Sequence, residues 1–127
     1  MLKAVVDGGT GSRLRFKYGL KGELGGKTGT TNNNSDAWFM GLTPTLVCGM
    51  WVGGDDRDIH FDSMAMGQGA TMALPIFAYF MQRVYKDGRL GYNENAVFDM
   101  PSGYNPCDTE TSELEDIDEG SIEDVYE

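Results

Sequence analysis

The chain has 127 residues, of which 40% are hydrophobic, so it can bury the core of one domain but not of two. Its net charge of −10 is unevenly placed: residues 1–100 contain all ten Lys and Arg and ten of the twenty acids, whereas residues 101–127 contain the other ten acids and no Lys or Arg. No basic cluster indicates nucleic-acid binding, and the longest apolar run, residues 72–81, is far shorter than the roughly 20 residues that cross a bilayer.

The chain is predicted to open on a helix. Residues 1–6 have the pattern of the last turns of a helix, which Asp7-Gly8-Gly9 stops. A domain that opens on a helix end is expected to have lost what preceded it. Residues 8–26 are rich in Gly and predict an irregular connecting segment.

Three strands are predicted next, at residues 24–31, 36–43 and 46–53. An Asn-rich turn at 32–35 and a tight link at 44–45 join them, which favours an antiparallel meander. The second and third strands are apolar at nearly every position, so cover is expected on both faces of the sheet.

One long helix is predicted at residues 71–87. Pro75 fits its first turn, an apolar stripe runs along one side, and Asp87-Gly88 ends it. A single helix covers one face of a sheet, so we expect the chain to be a fragment whose missing layer lies N-terminal to Met1.

The first strand carries the candidate site, Lys27-Thr28-Gly29-Thr30. Alternation along a strand points Lys27 to one face and Thr28 to the other, and Gly29 allows a ligand to approach the backbone. An ammonium, hydroxyls and an edge N–H suit a carboxylate-bearing substrate and a developing oxyanion. From the residues alone, an exposed polar strand beside a turn remains the alternative.

A phosphate-binding loop is excluded as an explanation of Gly26-Lys27-Thr28. The motif G-x-x-x-x-G-K-[ST] requires Gly at position 21, which is Lys21, and it must open a helix, for which residues 29–32 are a poor start.

No cofactor, metal or catalytic residue is predicted. The cluster that most resembles metal ligands, Asp55, Asp56, Asp58, His60 and Asp62, does not fit a calcium-binding loop and is predicted to be solvated. No nucleophile motif contains Ser12, Ser35, Ser63 or Ser102. Cys48 and Cys107 give neither a disulfide framework nor a metal-ligand spacing.

Five segments, in their order and spacing, resemble the C-terminal part of the transpeptidase domain of class A penicillin-binding proteins. They are residues 5–11 (VVDGGTG), 25–31 (GGKTGTT), 36–44 (DAWFMGLTP), 50–56 (MWVGGDD) and 73–81 (ALPIFAYFM). The resemblance spans residues 1–104 and ends with an F-x-x-P-x-G pattern at 98–103. It implies an α+β fragment of the serine β-lactamase/transpeptidase fold, a three-stranded antiparallel meander with a C-terminal helix packed on it.

The resemblance implies a serine acyl-transferase that cross-links peptidoglycan stem peptides at D-Ala-D-Ala and is acylated by penicillins. In that family Lys27 would act on the electrostatics of the site and on the substrate carboxylate. Thr28 and Thr30 would offer hydroxyls, the Thr30 N–H would be an oxyanion donor, and Gly29 would keep the strand open to the ligand. Because neither S-x-x-K nor S-x-N occurs in this sequence, we expect the chain alone to be inactive.

The resemblance also implies partners and a location. The intact parent would bind stem peptides and β-lactams and would be anchored in the cytoplasmic membrane with its catalytic part periplasmic or extracellular. The strand at 46–53 would pair with the missing N-terminal part of the domain or with a second copy. This chain itself is expected to be soluble, since its N-terminus has no basic flank followed by an apolar signal region.

The acidic residues 105–127 have no counterpart in the resemblance and predict a disordered tail. The alternative function is a non-enzymatic interaction module, which would use the exposed sheet edge and bind basic proteins through residues 108–127.

Overall fold

The structure is a computed structural model that describes residues 1–100 and 102–103. Its helices are α1 (Leu2–Asp7), α2 (Arg13–Phe16), α3 (Met64–Gly67), α4 (Ala73–Lys86) and a 3₁₀ turn (Gly88–Leu90); its strands are β1 (Gly25–Thr30), β2 (Asp36–Leu42) and β3 (Val47–Gly53). None of the described helices combines the length and apolar character that crossing a membrane requires. The predicted tail at 105–127 lies outside the described residues.

The predicted N-terminal helix, three strands and long helix are confirmed, each within about two residues of its expected ends. The prediction for residues 8–26 is wrong in part, because α2 forms there. The Leu14 side chain of α2 is fully buried in the core, so tertiary packing stabilises a helical turn that Gly-rich flanking sequence does not indicate.

The strands form one antiparallel sheet in the order β1-β2-β3, so the predicted meander is confirmed. Thr28 of β1 lies opposite Phe39 of β2, and Phe39 in turn lies opposite Met50 of β3. Both outer strands therefore have a free edge within the described part of the chain.

The core lies between α4 and one face of the sheet. The Phe39 and Phe77 rings have centroids 5.1 Å apart at an interplanar angle of 54°. Gly41 makes room for this packing, because a Cβ there would come within 2.2 Å of the Phe77 ring. The buried cluster includes Val6, Leu14, Leu20, Leu24, Phe39, Ala73, Leu74, Phe77, Ala78, Met81 and Val84.

The other face of the sheet is covered beside Gly25, where Leu2 of α1 lies close, but its central part is open in the described residues. Its apolar side chains are about half exposed: Trp38 46%, Met40 45% and Trp51 46%. We call this the open face and define it by Lys27, Gly29, Trp38, Met40, Gly49 and Trp51. The one long helix packs on the opposite face, as expected for a chain that has a helix for only one side of its sheet.

Candidate functional site

The candidate site lies along β1, which is an edge strand of the sheet. Beyond the end of β1, the Thr31 N–H donates to the Asp36 carbonyl at 3.1 Å, so Thr31 points its backbone groups toward β2. Because these directions alternate in an antiparallel strand, Thr28 and Thr30 point their N–H and C=O groups away from β2. We call these outward backbone groups of Thr28 and Thr30 the β1 edge.

Lys27 brings a positive charge to the β1 edge. Its side chain starts on the open face, and its Nζ donates to the Thr28 carbonyl at 2.8 Å. The next residue on the open face, Gly29, lies opposite Trp38, where an added Cβ would come within 3.2 Å of the Trp38 Cβ. The Lys27 ammonium thus lies beside the outward carbonyl of Thr28, and the next residue on its face of the strand, Gly29, has no side chain.

The hydroxyls of Thr28 and Thr30 lie on the opposite face and are held by groups distant in sequence. Thr28 Oγ1 is 3.1 Å from Thr10 Oγ1, and either hydroxyl can be the donor. Thr30 Oγ1 accepts a hydrogen bond from the Gly69 N–H at 3.0 Å. Sequence reasoning missed Thr10 and Gly69; the only signal in the sequence is that each lies in a glycine-rich turn.

The arrangement can recognise an anion. Lys27 Nζ lies at the Thr28 carbonyl of the β1 edge, and the Thr30 N–H points outward along the same edge. A cation and an N–H donor of this kind bind carboxylates strongly when they act together. Lys27, Thr28, Gly29 and Thr30 are thus consecutive on one edge strand, with the Lys27 side chain on one face of the sheet and the two hydroxyls on the other.

The serines and the histidine do not join this group. Ser35 is buried and its Oγ donates to Asn33 Oδ1 at 2.8 Å, while Ser12 and Ser63 lie at the starts of α2 and α3. His60 is exposed, with Nδ1 3.3 Å from its neighbour's carbonyl oxygen. The Ser35 hydroxyl also lies 3.1 Å from Thr31 Oγ1 and 3.0 Å from Asp36 Oδ2, so its contacts are with the turn before β2.

The acidic loop after β3 is exposed from Asp55 to Asp62. Asp56 uses Oδ1 to accept the Asp58 N–H at 3.1 Å, an internal turn contact. Within residues 1–100 and 102–103, no three side chains of His, Cys, Asp or Glu come close enough to hold a metal ion.

Comparison with known proteins gives a consistent result at the level of sequence. No protein-family model matches the chain. Penicillin-binding protein 1A of Rickettsia conorii is 41% identical over 86 residues, which is 68% of this chain and 10% of the relative. Penicillin-binding protein 1A of Aquifex aeolicus is 40% identical over 101 residues, which is 80% of this chain and 12% of the relative.

The fold agrees with the sequence. The crystal structure of penicillin-binding protein 1A from Haemophilus influenzae superposes with a TM-score of 0.63 at 27% identity, over 79% of this chain and 15% of that chain. The chain is homologous to a segment of penicillin-binding protein 1A. It spans only about a tenth of the length of the curated relatives that it matches. The similarity to penicillin-binding protein 1A therefore identifies a segment, of which β1, β2, β3 and α4 are the main elements.

Proposed function

We propose that this chain carries the carboxylate-binding strand of a peptidoglycan transpeptidase. The observation that carries the proposal is the Lys27 ammonium, 2.8 Å from the outward carbonyl of Thr28 on an edge strand. The similarity to penicillin-binding protein 1A supports the proposal. The substrate class proposed with it is a peptide that ends in D-Ala-D-Ala, together with the β-lactams that resemble it.

Each residue of the strand has its own role in this proposal. Lys27 attracts the terminal carboxylate of the peptide, and the Thr28 and Thr30 hydroxyls donate to it. The outward N–H of Thr30 stabilises negative charge on the carbonyl oxygen under attack. Gly29 leaves the strand bare, so that an extended peptide can lie along the β1 edge.

Binding without covalent chemistry is the expected behaviour of the chain alone. Acyl transfer requires an activated serine, and the sequence contains neither S-x-x-K nor S-x-N. The nucleophile therefore has to come from outside these 127 residues. Binding and oxyanion stabilisation remain possible in its absence, because they use groups that β1 supplies.

A binding titration tests the proposal on the full chain. N-acetyl-D-alanyl-D-alanine should shift the backbone amide NMR signals of residues 27–30, and the same dipeptide with an amidated C-terminus should bind much more weakly. Lys27→Met should weaken binding of the acid form by about tenfold or more, since hydrogen bonds to charged groups contribute about 1.5–3 kcal/mol. Lys21→Met, an exposed lysine in the loop before β1, is the matched control.

Labelled benzylpenicillin tests the lack of covalent chemistry. No labelled band should survive denaturation of this polypeptide. Equal binding of the acid and amide dipeptides would contradict the proposed carboxylate binding. A stable penicillin adduct would contradict the proposed lack of covalent chemistry.

A second candidate function is an interaction module that uses the sheet. The free edge of β3 and the half-exposed tryptophans of the open face favour it. This candidate does not require the β1 edge, so it predicts no preference for the acid dipeptide over the amidated one.

A further inference from the structure

The contact between Gly69 and Thr30 connects the loop before α4 to the proposed carboxylate site. We propose that Gly69 is a positioning residue, whose backbone N–H sets the direction in which the Thr30 hydroxyl donates. This inference rests on the proposed function of the β1 edge, because it concerns the same hydroxyl.

The loop approaches the strand too closely for any side chain at position 69. A Cβ on Gly69 would lie 2.3 Å from the Trp38 carbonyl oxygen and 2.7 Å from that of Gly29. Both are backbone atoms of the β1–β2 ladder, so they cannot rotate out of the way. Only glycine allows the N–H at this position to reach Thr30 Oγ1 at 3.0 Å.

The same glycine is fixed from its other side by α4. Its carbonyl oxygen accepts the N–H groups of Ala73 at 3.1 Å and Leu74 at 2.9 Å, in the first turn of that helix. The inner face of α4 is buried against the sheet. The position of the Gly69 peptide therefore follows from the packing of α4, and this peptide supplies the donor to Thr30.

The direction of the hydroxyl follows from its hydrogen-bond capacity. A threonine hydroxyl has one proton and two acceptor positions. Because the Gly69 N–H occupies one acceptor position on Thr30, the proton remains available to donate to a carboxylate. Thr28 differs, because its hydroxyl pairs with that of Thr10 and either of the two can donate. Of the two hydroxyls, that of Thr30 is therefore the one whose proton the fold directs away from its protein partner.

Hydrogen exchange tests the contact without any ligand. The Gly69 amide of the full chain should exchange about five- to tenfold faster in Thr30→Val, which lacks the acceptor, and at the wild-type rate in Thr30→Ser, which keeps it. Unchanged exchange in Thr30→Val would overturn the inference. This measurement does not depend on whether the chain binds a peptide.

Peptide binding then tests the positioning role. With N-acetyl-D-alanyl-D-alanine as the probe, Gly69→Ala should weaken binding about two- to tenfold, whereas Gly88→Ala should have no effect. Gly88 lies beyond the other end of α4, and an added Cβ there meets no atom within 4 Å. In a Thr30→Val background, Gly69→Ala should cause no further loss of binding.

The outcomes separate the two proposals. Suppose that the wild-type chain binds the probe. The positioning role is then wrong, while the proposed function stands, if Gly69→Ala binds the probe equally well. The same holds if Gly69→Ala weakens binding as much in the Thr30→Val background as in the wild type. If the wild-type chain does not bind the probe, the proposed function is wrong, and exchange at Gly69 still decides whether the contact exists. If Gly69→Ala does not fold, Thr30→Val against Thr30→Ser gives the same test of the hydroxyl.

Discussion

Phe98 donates its backbone N–H to Oε2 of Glu23 at 2.6 Å. The other oxygen of the same carboxylate accepts a hydrogen bond from Lys3 Nζ at 2.5 Å. The Glu23 side chain, just before β1, therefore connects two distant parts of the chain: α1, through Lys3, and the segment that follows α4, through Phe98. The carboxylate of Glu23 fixes both flanking segments beside the strand that carries the candidate site.

The two hydrogen bonds that Glu23 accepts predict that part of the stability of the fold is lost in acid. The hydrogen bonds from Lys3 and from the Phe98 N–H lower the pKa of Glu23 below its ordinary value. The native carboxyl thus binds a proton less readily than the unfolded one. The contribution of the Glu23 carboxylate to the free energy of unfolding is fully present above about pH 4.3, its pKa in the unfolded chain. It is lost as the pH falls through the lower pKa that this carboxyl has in the folded chain.

Glu23→Gln should therefore lower the urea midpoint at pH 7 and reduce the fall in stability between about pH 5 and pH 3. Glu94→Gln is the matched control, since Glu94 takes part in none of the salt bridges found among the described residues. If the stability of the wild type and of Glu23→Gln fell in parallel across this pH range, the stabilising role of the Glu23 carboxylate would be wrong.

The packing of α4 on the sheet predicts that Gly41 tolerates no side chain. A Cβ at Gly41 would come within 2.2 Å of the buried Phe77 ring, so Gly41→Ala should lower the free energy of unfolding by about 1–3 kcal/mol. Gly49→Ala is the control on the neighbouring strand, where the nearest atom is the thioether sulfur of the half-exposed Met40. Urea unfolding that finds equal losses for the two variants would show that Phe77 is free to move aside.

Most of the fold could be predicted from the sequence, because its signals are local. The Asn-rich turn and the Pro44 link define the strands, and Pro75 and Gly88 bracket the long helix. The α2 turn could not be predicted in this way, since the burial of Leu14 that stabilises it depends on elements far away in sequence.

The candidate site was predictable only along the strand itself. Strict alternation from Lys27 to Thr30 indicates which side chains share a face. It does not indicate that Gly69, 39 residues after Thr30, supplies a hydrogen bond to it. Contacts of this kind follow from the packing of α4, which no local pattern encodes.

Cys48 is predicted to react slowly in the native chain. It lies on the sheet face that packs against α4, and partial burial raises the pKa of its thiol. Less thiolate is present at a given pH than in the unfolded chain, and access is restricted. In a Cys107→Ser variant, Ellman's reagent at pH 8 should label Cys48 many-fold faster in denaturing guanidinium chloride than in buffer. Equal rates would contradict the packing of this face.

The free edge of β3 predicts that the chain associates with itself. The Thr43 N–H donates to the Leu46 carbonyl at 2.8 Å, so alternation points the backbone groups of Val47, Gly49 and Trp51 away from β2. Residues 46–53 contain neither a charge nor a proline, the usual protections of an edge strand. Antiparallel pairing of two copies about Met50 would place Trp51 of each copy opposite Gly49 of the other, a large residue against a small one.

Sedimentation velocity over a tenfold range of concentration should therefore show a monomer–dimer equilibrium. Val47→Lys should shift it to monomer, because the exposed Val47 lies on this edge and a lysine there opposes pairing. Ile76→Lys, on the outer side of α4, should leave the dimer unchanged and excludes a general effect of charge. A single monomeric species at every concentration would contradict pairing through β3, whereas a dimer lost only in Ile76→Lys would place the interface on α4.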